Sequence, residues 1–412
     1  MNELVAPLGL FVLGLAGGAL ANLAVYQLAW NRRAISPWSA PPPAAPPRRW
    51  SDRIPVLGWL GLRRESSLHG GGFWVRPAAV ELLFGIGLVA LWHWEVDQGR
   101  LAAGWARPGT LSSAGSTYAA HAILLWLMLV ASLIDMDEKT IPDEITVPGT
   151  LVGLVLAAVL PWSLMPIPWF TPEGIAPGFI TTVSPQLPAR WPGWLERLSE
   201  PWTVGVAVGC WLLWCVALLH RTWYSRHGWR RAMGLALARI IRARSTPRIA
   251  GMAVVGTVGI AGVYWLGGDR WIALFSSLVG AAAGGGMIWL VRVLGTAALK
   301  REAMGFGDVT LMAMLGAFLG WQACLVIFFL APLAGVVLGL LVLIFFRERE
   351  IPYGPFLCAA AVATVIYWDT IWPLVEDRLL LLGPWALVLL AACLILLPVL
   401  LLAMRAVRSL WH

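Results

Sequence analysis

Apolar residues in this chain come in long blocks, and polar residues gather between the blocks rather than alternating with them. A helix needs ~20 predominantly apolar residues to cross the hydrocarbon core of a bilayer. In lipid every backbone polar group must be satisfied internally, which a continuous apolar run achieves only as a helix. The alternation expected of membrane barrel strands is missing. The pattern therefore predicts an all-α, polytopic transmembrane bundle of about eleven spans. They are Val5–Trp30, Ala78–Trp94, Tyr118–Ile134, Ile145–Trp162, Trp202–His220, Ile249–Leu266, Trp271–Gly295, Val309–Gln322, Cys324–Phe346, Phe356–Trp368 and Pro384–Met404. The stretch from Val309 to Phe346 is long for one crossing and is interrupted at Gly316, Gly320 and Pro332, so it is predicted as two helices.

Charge gives the spans a direction. With the N-terminus outside and the C-terminus cytoplasmic, the inner loops hold 23 Lys and Arg residues and the outer segments 6. That bias follows the positive-inside rule, and an error of one crossing would invert every later loop. The inner loops are Asn31–Pro77, Asp135–Glu144, Arg221–Arg248, Thr296–Asp308, Arg347–Pro355 and the tail after Met404.

Composition agrees with a membrane protein: 59% of residues are hydrophobic and only 13% charged. The 26 tryptophans cluster near span ends, as in interfacial belts. The net charge of +8 is accounted for by basic inner loops and carries no case for nucleic acid; the bilayer is the expected partner. The first span has Glu3 and no basic residue before it, so it is expected to be retained rather than cleaved as a signal peptide. The five cysteines, Cys210, Cys215, Cys324, Cys358 and Cys393, lie inside apolar runs without metal-site spacing, and are expected to be packing residues. Ser39–Pro47 is proline-rich and reads as an extended linker, and the outer loop Ser163–Pro201 as a segment lying along the membrane surface.

Two acid clusters stand at span ends. Asp135 follows Leu133-Ile134 at the end of one apolar run. Asp308 follows Gly305-Phe306-Gly307 and opens the next apolar helix. A carboxylate at a membrane boundary is costly, and two glycines beside it let the backbone bend and approach closely. The orientation above puts Asp135 and Asp308 on the same, cytoplasmic face. Taken alone, Asp308 reads equally well as a helix N-cap. Asp137, Glu138 and Lys139 read as a solvated helix end, and Asp143 as a cap for the following helix.

These motifs in order resemble the type IV prepilin peptidase family of membrane aspartyl proteases. Met304 to Gln322 is similar to the family's second aspartate motif, and Ser132-Leu133-Ile134-Asp135 with Ile141-Pro142-Asp143 to its first. Pro352-Tyr353-Gly354-Pro355 resembles its Pro-x-Gly-Pro segment. Asn22–Tyr26, Ile54–Trp59 and Val80–Leu83 resemble its N-terminal domain. The domains expected on this basis are 1–95, an N-terminal domain with the inner loop 31–77; 118–374, the peptidase domain with an inserted helical hairpin at 202–266; and 384–412, an added span and tail.

The resemblance implies an aspartic endopeptidase of the bacterial inner membrane with Asp135 and Asp308 catalytic. Gly305, Gly307, Asp143 and Thr310 would shape the site or bind substrate. Prepilins or pseudopilins would be the substrates, serving a pilus or a secretion system, with no cofactor for proteolysis. Many members also methylate the new N-terminus with S-adenosylmethionine, and Glu81 is the candidate for such a site. Four departures narrow this. The first inner loop has no cysteine, so the family's thiolate zinc site is excluded there. Gln27 stands where Arg is common, and Thr310 where Lys is usual. Extra spans lie between the aspartates and at the C-terminus. Two alternatives remain: an inactive assembly subunit of a pilus or secretion system, and a proton-coupled secondary transporter with intramembrane acids on a proton path, against which stands the place of both acids at one boundary.

Overall fold

The computed structural model describes residues 2–32, 35–102, 114–171, 174–182, 201–219, 245–299, 304–346 and 352–382, with the single residues 238, 242, 243, 302 and 385. The predicted span Pro384–Met404 and most of Arg221–Arg248 lie outside the described residues.

The helices are α1 (Asn2–Leu28), α2 (Val75–Trp92), α3 (Ala114–Glu138), α4 (Asp143–Val159), α5 (Trp202–Ala217), α6 (Thr246–Leu266), α7 (Gly268–Leu299), α8 (Phe306–Phe346), α9 (Gly354–Ile366) and α10 (Trp368–Leu382). Six described helices are long and apolar enough to cross a membrane, or seven if the α9–α10 pair, bent by 93°, counts as one span. The molecule is a multi-pass helical membrane protein. Each of the first ten sequence segments coincides with a helix, yet the number that qualifies as a full crossing is smaller. Helices α4 and α5 have only 17 and 16 residues. The α9–α10 bend leaves two short pieces.

The all-α architecture carries one short β element. Between α4 and α5 the chain makes an antiparallel hairpin, β1 (Pro166–Thr171) and β2 (Gly174–Thr182), with Pro166 opposite Thr182. Its backbone pairs within itself, so two strands persist in an otherwise helical protein. The indole of Trp368 donates to the Pro166 carbonyl at 2.6 Å, tying the hairpin to the α9–α10 bend.

Helix α8 is broken at Gly320, whose backbone (φ 84°, ψ 170°) only glycine adopts readily. The neighbours of α7 show what the break does. Ser277 Oγ bonds the Ala317 carbonyl at 2.5 Å, and Gly285 faces Ala313, an antiparallel register. Continued past Gly320, that register would carry Cys324 toward the start of α7. Instead Cys324 Sγ lies beside Gly284 and 3.9 Å from the Gly280 carbonyl. The chain therefore reverses at Gly320, dividing α8 where the sequence predicted two helices.

Small residues let helices meet closely. A Cβ on Gly14 of α1 would stand 2.6 Å from the Gly85 Cα of α2, and Gly280 and Gly316 bring α7 and α8 into backbone contact. The main core gathers α3, α8 and α9 around Leu124, Ile134, Leu311, Met312 and Phe318. A second core, built on Trp211, Trp214, Trp271 and Phe275, packs α5 and α6 against α7.

Candidate active site

Four chain segments end at one place. Helix α3 brings Asp135 in its last turn; the Lys139–Pro142 link follows; α8 brings Asp308 in its first turn; α9 begins at Gly354. Ile141, 9% exposed, is the wedge among them. A Cβ on Gly307 would lie 2.8 Å from the Ile141 Cβ, and one on Gly354 would lie 2.9 Å from its Cδ1. Two of these segment ends can therefore close on Ile141 only as glycine.

Both carboxylates are buried, Asp135 at 4% and Asp308 at 8% exposure. The Gly354 N–H donates to Asp135 Oδ2 at 3.1 Å. A methyl group on Gly354 would stand 2.5 Å from that oxygen. The Gly305 N–H reaches the Asp308 carboxylate, and the two aspartates lie within electrostatic reach of each other. The N-termini of α8 and α9 both face the pair, so backbone dipoles favour negative charge here. Two acids close together with few donors cannot both ionise cheaply, which is the arrangement of a proton-sharing dyad.

The model of the type IV leader peptidase family matches residues 122–340. The chain belongs to the type IV leader peptidase family. Among its curated relatives, the prepilin leader peptidase/N-methyltransferase of Aeromonas salmonicida is 33% identical over 109 residues, 26% of this chain and 37% of the relative. Proteins of the same name from Myxococcus xanthus and Stutzerimonas stutzeri are each 23% identical, over 337 and 331 residues. Those matches cover 81% and 79% of this chain, and 62% and 69% of the relatives. The chain thus spans little more than a third of the first relatives it matches, 37% of their length. No solved structure matches it.

The family match contains both aspartates and the Gly305–Asp308 turn. Asp308 is not the N-cap: α8 starts at Phe306, so Asp308 sits inside its first turn. Asp143 is not a cap either. Pro142 occupies the cap position without a side-chain bond, and Asp143 is the exposed first residue of α4. Thr310 is 3% exposed and accepts from Thr146 Oγ1 at 3.0 Å while donating to the Gly307 carbonyl at 3.0 Å. The supposed solvated helix end is anchored. Asp137 pairs with Arg76 at 2.6 Å, and Glu138 accepts the Trp30 and Asn31 N–H groups just past α1.

Glu81 lies in a separate cluster. It accepts from the Trp59 indole at 2.8 Å, the Asn22 amide at 3.2 Å and the Val56 N–H at 2.5 Å, and is 2% exposed. Val56 donates from a positive φ of 62°, costly for a β-branched residue, so the Glu81 bond fixes a strained turn. In the same loop Arg64 grips both oxygens of Asp52, which also accepts the Arg49 N–H at 2.7 Å. This pairing holds the Asp52 carboxyl below its ordinary value. Arg48 pairs with Glu65. Among the described residues no group of three His, Cys, Asp or Glu is placed to hold a metal.

Sequence reasoning missed several site residues. Ile141 entered only as part of a motif, and the Gly354 N–H carries no side-chain signal. Cys358, expected to be inert packing, hydrogen-bonds Ser132 and lies within electrostatic reach of both aspartates. Arg292 bonds the Met304 carbonyl at 2.9 Å from across a chain turn.

Proposed function

We propose that this chain is an aspartic endopeptidase that removes leader peptides from prepilins or pseudopilins at the cytoplasmic edge of the bacterial inner membrane. The observation that carries it is the meeting of Asp135 and Asp308, two buried carboxylates in electrostatic contact, with Gly354 donating to one of them. The family match over both aspartates and the printed name of the relatives support the substrate class.

In the reaction the dyad holds one proton. The ionised carboxylate takes a proton from water as that water attacks the scissile carbonyl, and the protonated carboxyl donates to the developing oxyanion. The proton belongs to the pair rather than to either residue. Gly305 and Gly307 bring the Asp308 turn close to the substrate backbone, and Asp143, exposed two residues past Ile141, is the candidate to shape the site or bind substrate. The cytoplasmic position rests on the charge bias of the loops, with the N-terminus outside and about eleven spans, including the segment near the C-terminus. The domain divisions at 1–95, 118–374 and 384–412 follow the same reading.

The relatives' name also includes N-methyltransferase. Glu81, the candidate residue, is engaged by three donors and almost wholly buried, and does not fit a residue that receives S-adenosylmethionine. The mass of a processed pilin N-terminus decides whether methylation occurs.

The proteolytic reading is tested with full-length protein in proteoliposomes and a prepilin carrying its leader. The wild type cleaves, Asp135→Asn and Asp308→Asn do not, and Asp137→Asn cleaves within about twofold of wild type, since exposed ion pairs contribute little. Near-normal cleavage by either of the first two variants overturns the assignment. An uncleaved leader with the wild type favours the assembly-subunit alternative.

A further inference from the structure

The turn that delivers Asp308 is gripped by side chains from two other helices. On one side Thr310 Oγ1 donates to the Gly307 carbonyl, and Thr146 Oγ1 of α4 donates to Thr310 Oγ1, each at 3.0 Å. Thr146 and Thr310 are 0% and 3% exposed. Thr150, one turn on, donates to the Thr146 backbone carbonyl at 2.7 Å. On the other side Arg292 of α7 donates to the Met304 carbonyl at 2.9 Å and its guanidinium lies 5.7 Å from the Phe306 ring. Arg292 is itself held by Glu302.

We propose that Thr146 and Thr310 are positioning residues for Asp308, with Arg292 as a second, weaker grip on the same turn. The inference deepens the peptidase reading above and rests on it. The physical reason is the pair of glycines. Gly305 and Gly307 give the turn the closeness its packing on Ile141 requires, but they also leave it without side chains that would hold its shape. Conformational freedom in the turn is freedom in the carboxylate, and a misplacement of about 1 Å in a reacting group costs on the order of 100-fold in rate. The buried Thr310 hydroxyl on the Gly307 carbonyl, itself held by Thr146, restrains the turn two bonds from the Asp308 nitrogen. The Thr310 hydroxyl both accepts and donates, so the restraint is one of hydrogen-bond geometry rather than of filling space. Arg292 is partly exposed, which makes its grip the looser of the two.

The test uses the full chain in proteoliposomes with a leader-bearing prepilin. Thr310→Val keeps the shape and removes the hydroxyl. It is expected to lower kcat about tenfold or more while KM stays within about twofold, because the substrate's contacts are left in place. Thr310→Ser restores kcat to within about threefold, since it returns the hydroxyl and not the methyl. Thr146→Val, on a different helix, lowers kcat less, and Thr146→Val/Thr310→Val is no worse than Thr310→Val alone, as expected of one shared path. Arg292→Gln gives a smaller drop. Backbone hydrogen exchange at residues 304–308 speeds up in Thr310→Val, and this readout needs no turnover. A Thr310→Val enzyme with wild-type kcat and unchanged exchange overturns the proposal. So does a Thr310→Ser variant no better than Thr310→Val, which would make the residue mere packing. If the wild type itself does not cleave, the peptidase reading fails, and the exchange data alone judge the grip.

Discussion

Two carboxylate clusters in this protein are built in opposite ways. Glu81 and Asp52, in the N-terminal region, are saturated. Glu81 accepts three donors, and Asp52 meets both arms of Arg64 and a backbone N–H. Asp135 and Asp308, at the helix ends, meet one backbone donor apiece and each other. A saturated buried acid is spent on structure, because every lone pair that holds the fold is unavailable to a substrate. An undersaturated acid beside a second one retains capacity for a proton and a reacting atom. Burial is similar in the two clusters, so it is the donor count that separates them.

The contrast breaks first at the largest effect. Removing charge from the dyad, by Asp135→Asn or Asp308→Asn, is expected to drop cleavage by ~10³-fold or more, as for groups that act as a unit. Gly354→Ala comes next. Its methyl would press on Asp135 Oδ2 and on Ile141, so kcat should fall on the order of 100-fold with the protein still folded. A Gly354→Ala enzyme with normal kcat would show that the α9 N-terminus does not place Asp135.

The saturated cluster should respond in stability rather than in rate. Glu81→Ala leaves three donors without their acceptor and is expected to cost on the order of 3 kcal/mol, read as a shifted unfolding midpoint in detergent titration. Cleavage per folded molecule should stay within about twofold. If Glu81→Gln stayed fully stable yet lost methylation of the product, Glu81 would be chemical after all, and the division between the clusters would be wrong.

The smallest effect is a pH dependence. The Asp52 carboxyl is held below its ordinary value by Arg64. A depressed folded value means the pairing stabilises above the unfolded carboxyl range and is lost as pH falls through the folded value. Wild type and Asp52→Asn should therefore differ in stability at pH 7 and converge below about pH 4, with the effect modest because Arg64 is partly exposed. A gap that widened on acidification would mean another group titrates there.

Much of this architecture was open to reading from residues alone. The lengths of the apolar blocks located helices α1 to α9, and Gly320 marked a real reversal of the chain. Gly-x-Gly-Asp singled out Asp308, and the charge bias of the loops put Asp135 on its side of the membrane. What the pattern got wrong has a common cause. A block of apolar residues says that a helix is buried in something apolar, and not how far it runs, so the short helices α4, α5 and α9 were each read as a span and α10 was not foreseen. The β hairpin was missed because Pro166–Thr182 has mixed polarity and its pairing is a matter of which two strands meet.

The sequence by itself determined which residues carry charge at the helix ends, which turns only glycine allows, and that the chain is a helical membrane protein of the type IV leader peptidase family. Those are properties of local chemistry and spacing, and they are written one residue at a time. Only the tertiary structure decided that Asp135 and Asp308 lie within electrostatic reach of each other, that Ile141 packs against Gly307 and Gly354 beside them, and that Gly354, 219 residues from Asp135, is its donor. It alone distinguished Glu81, saturated, from the aspartates, unsaturated. A carboxylate's role depends on how many donors face it, and donors are supplied by neighbours in space that sequence order does not name.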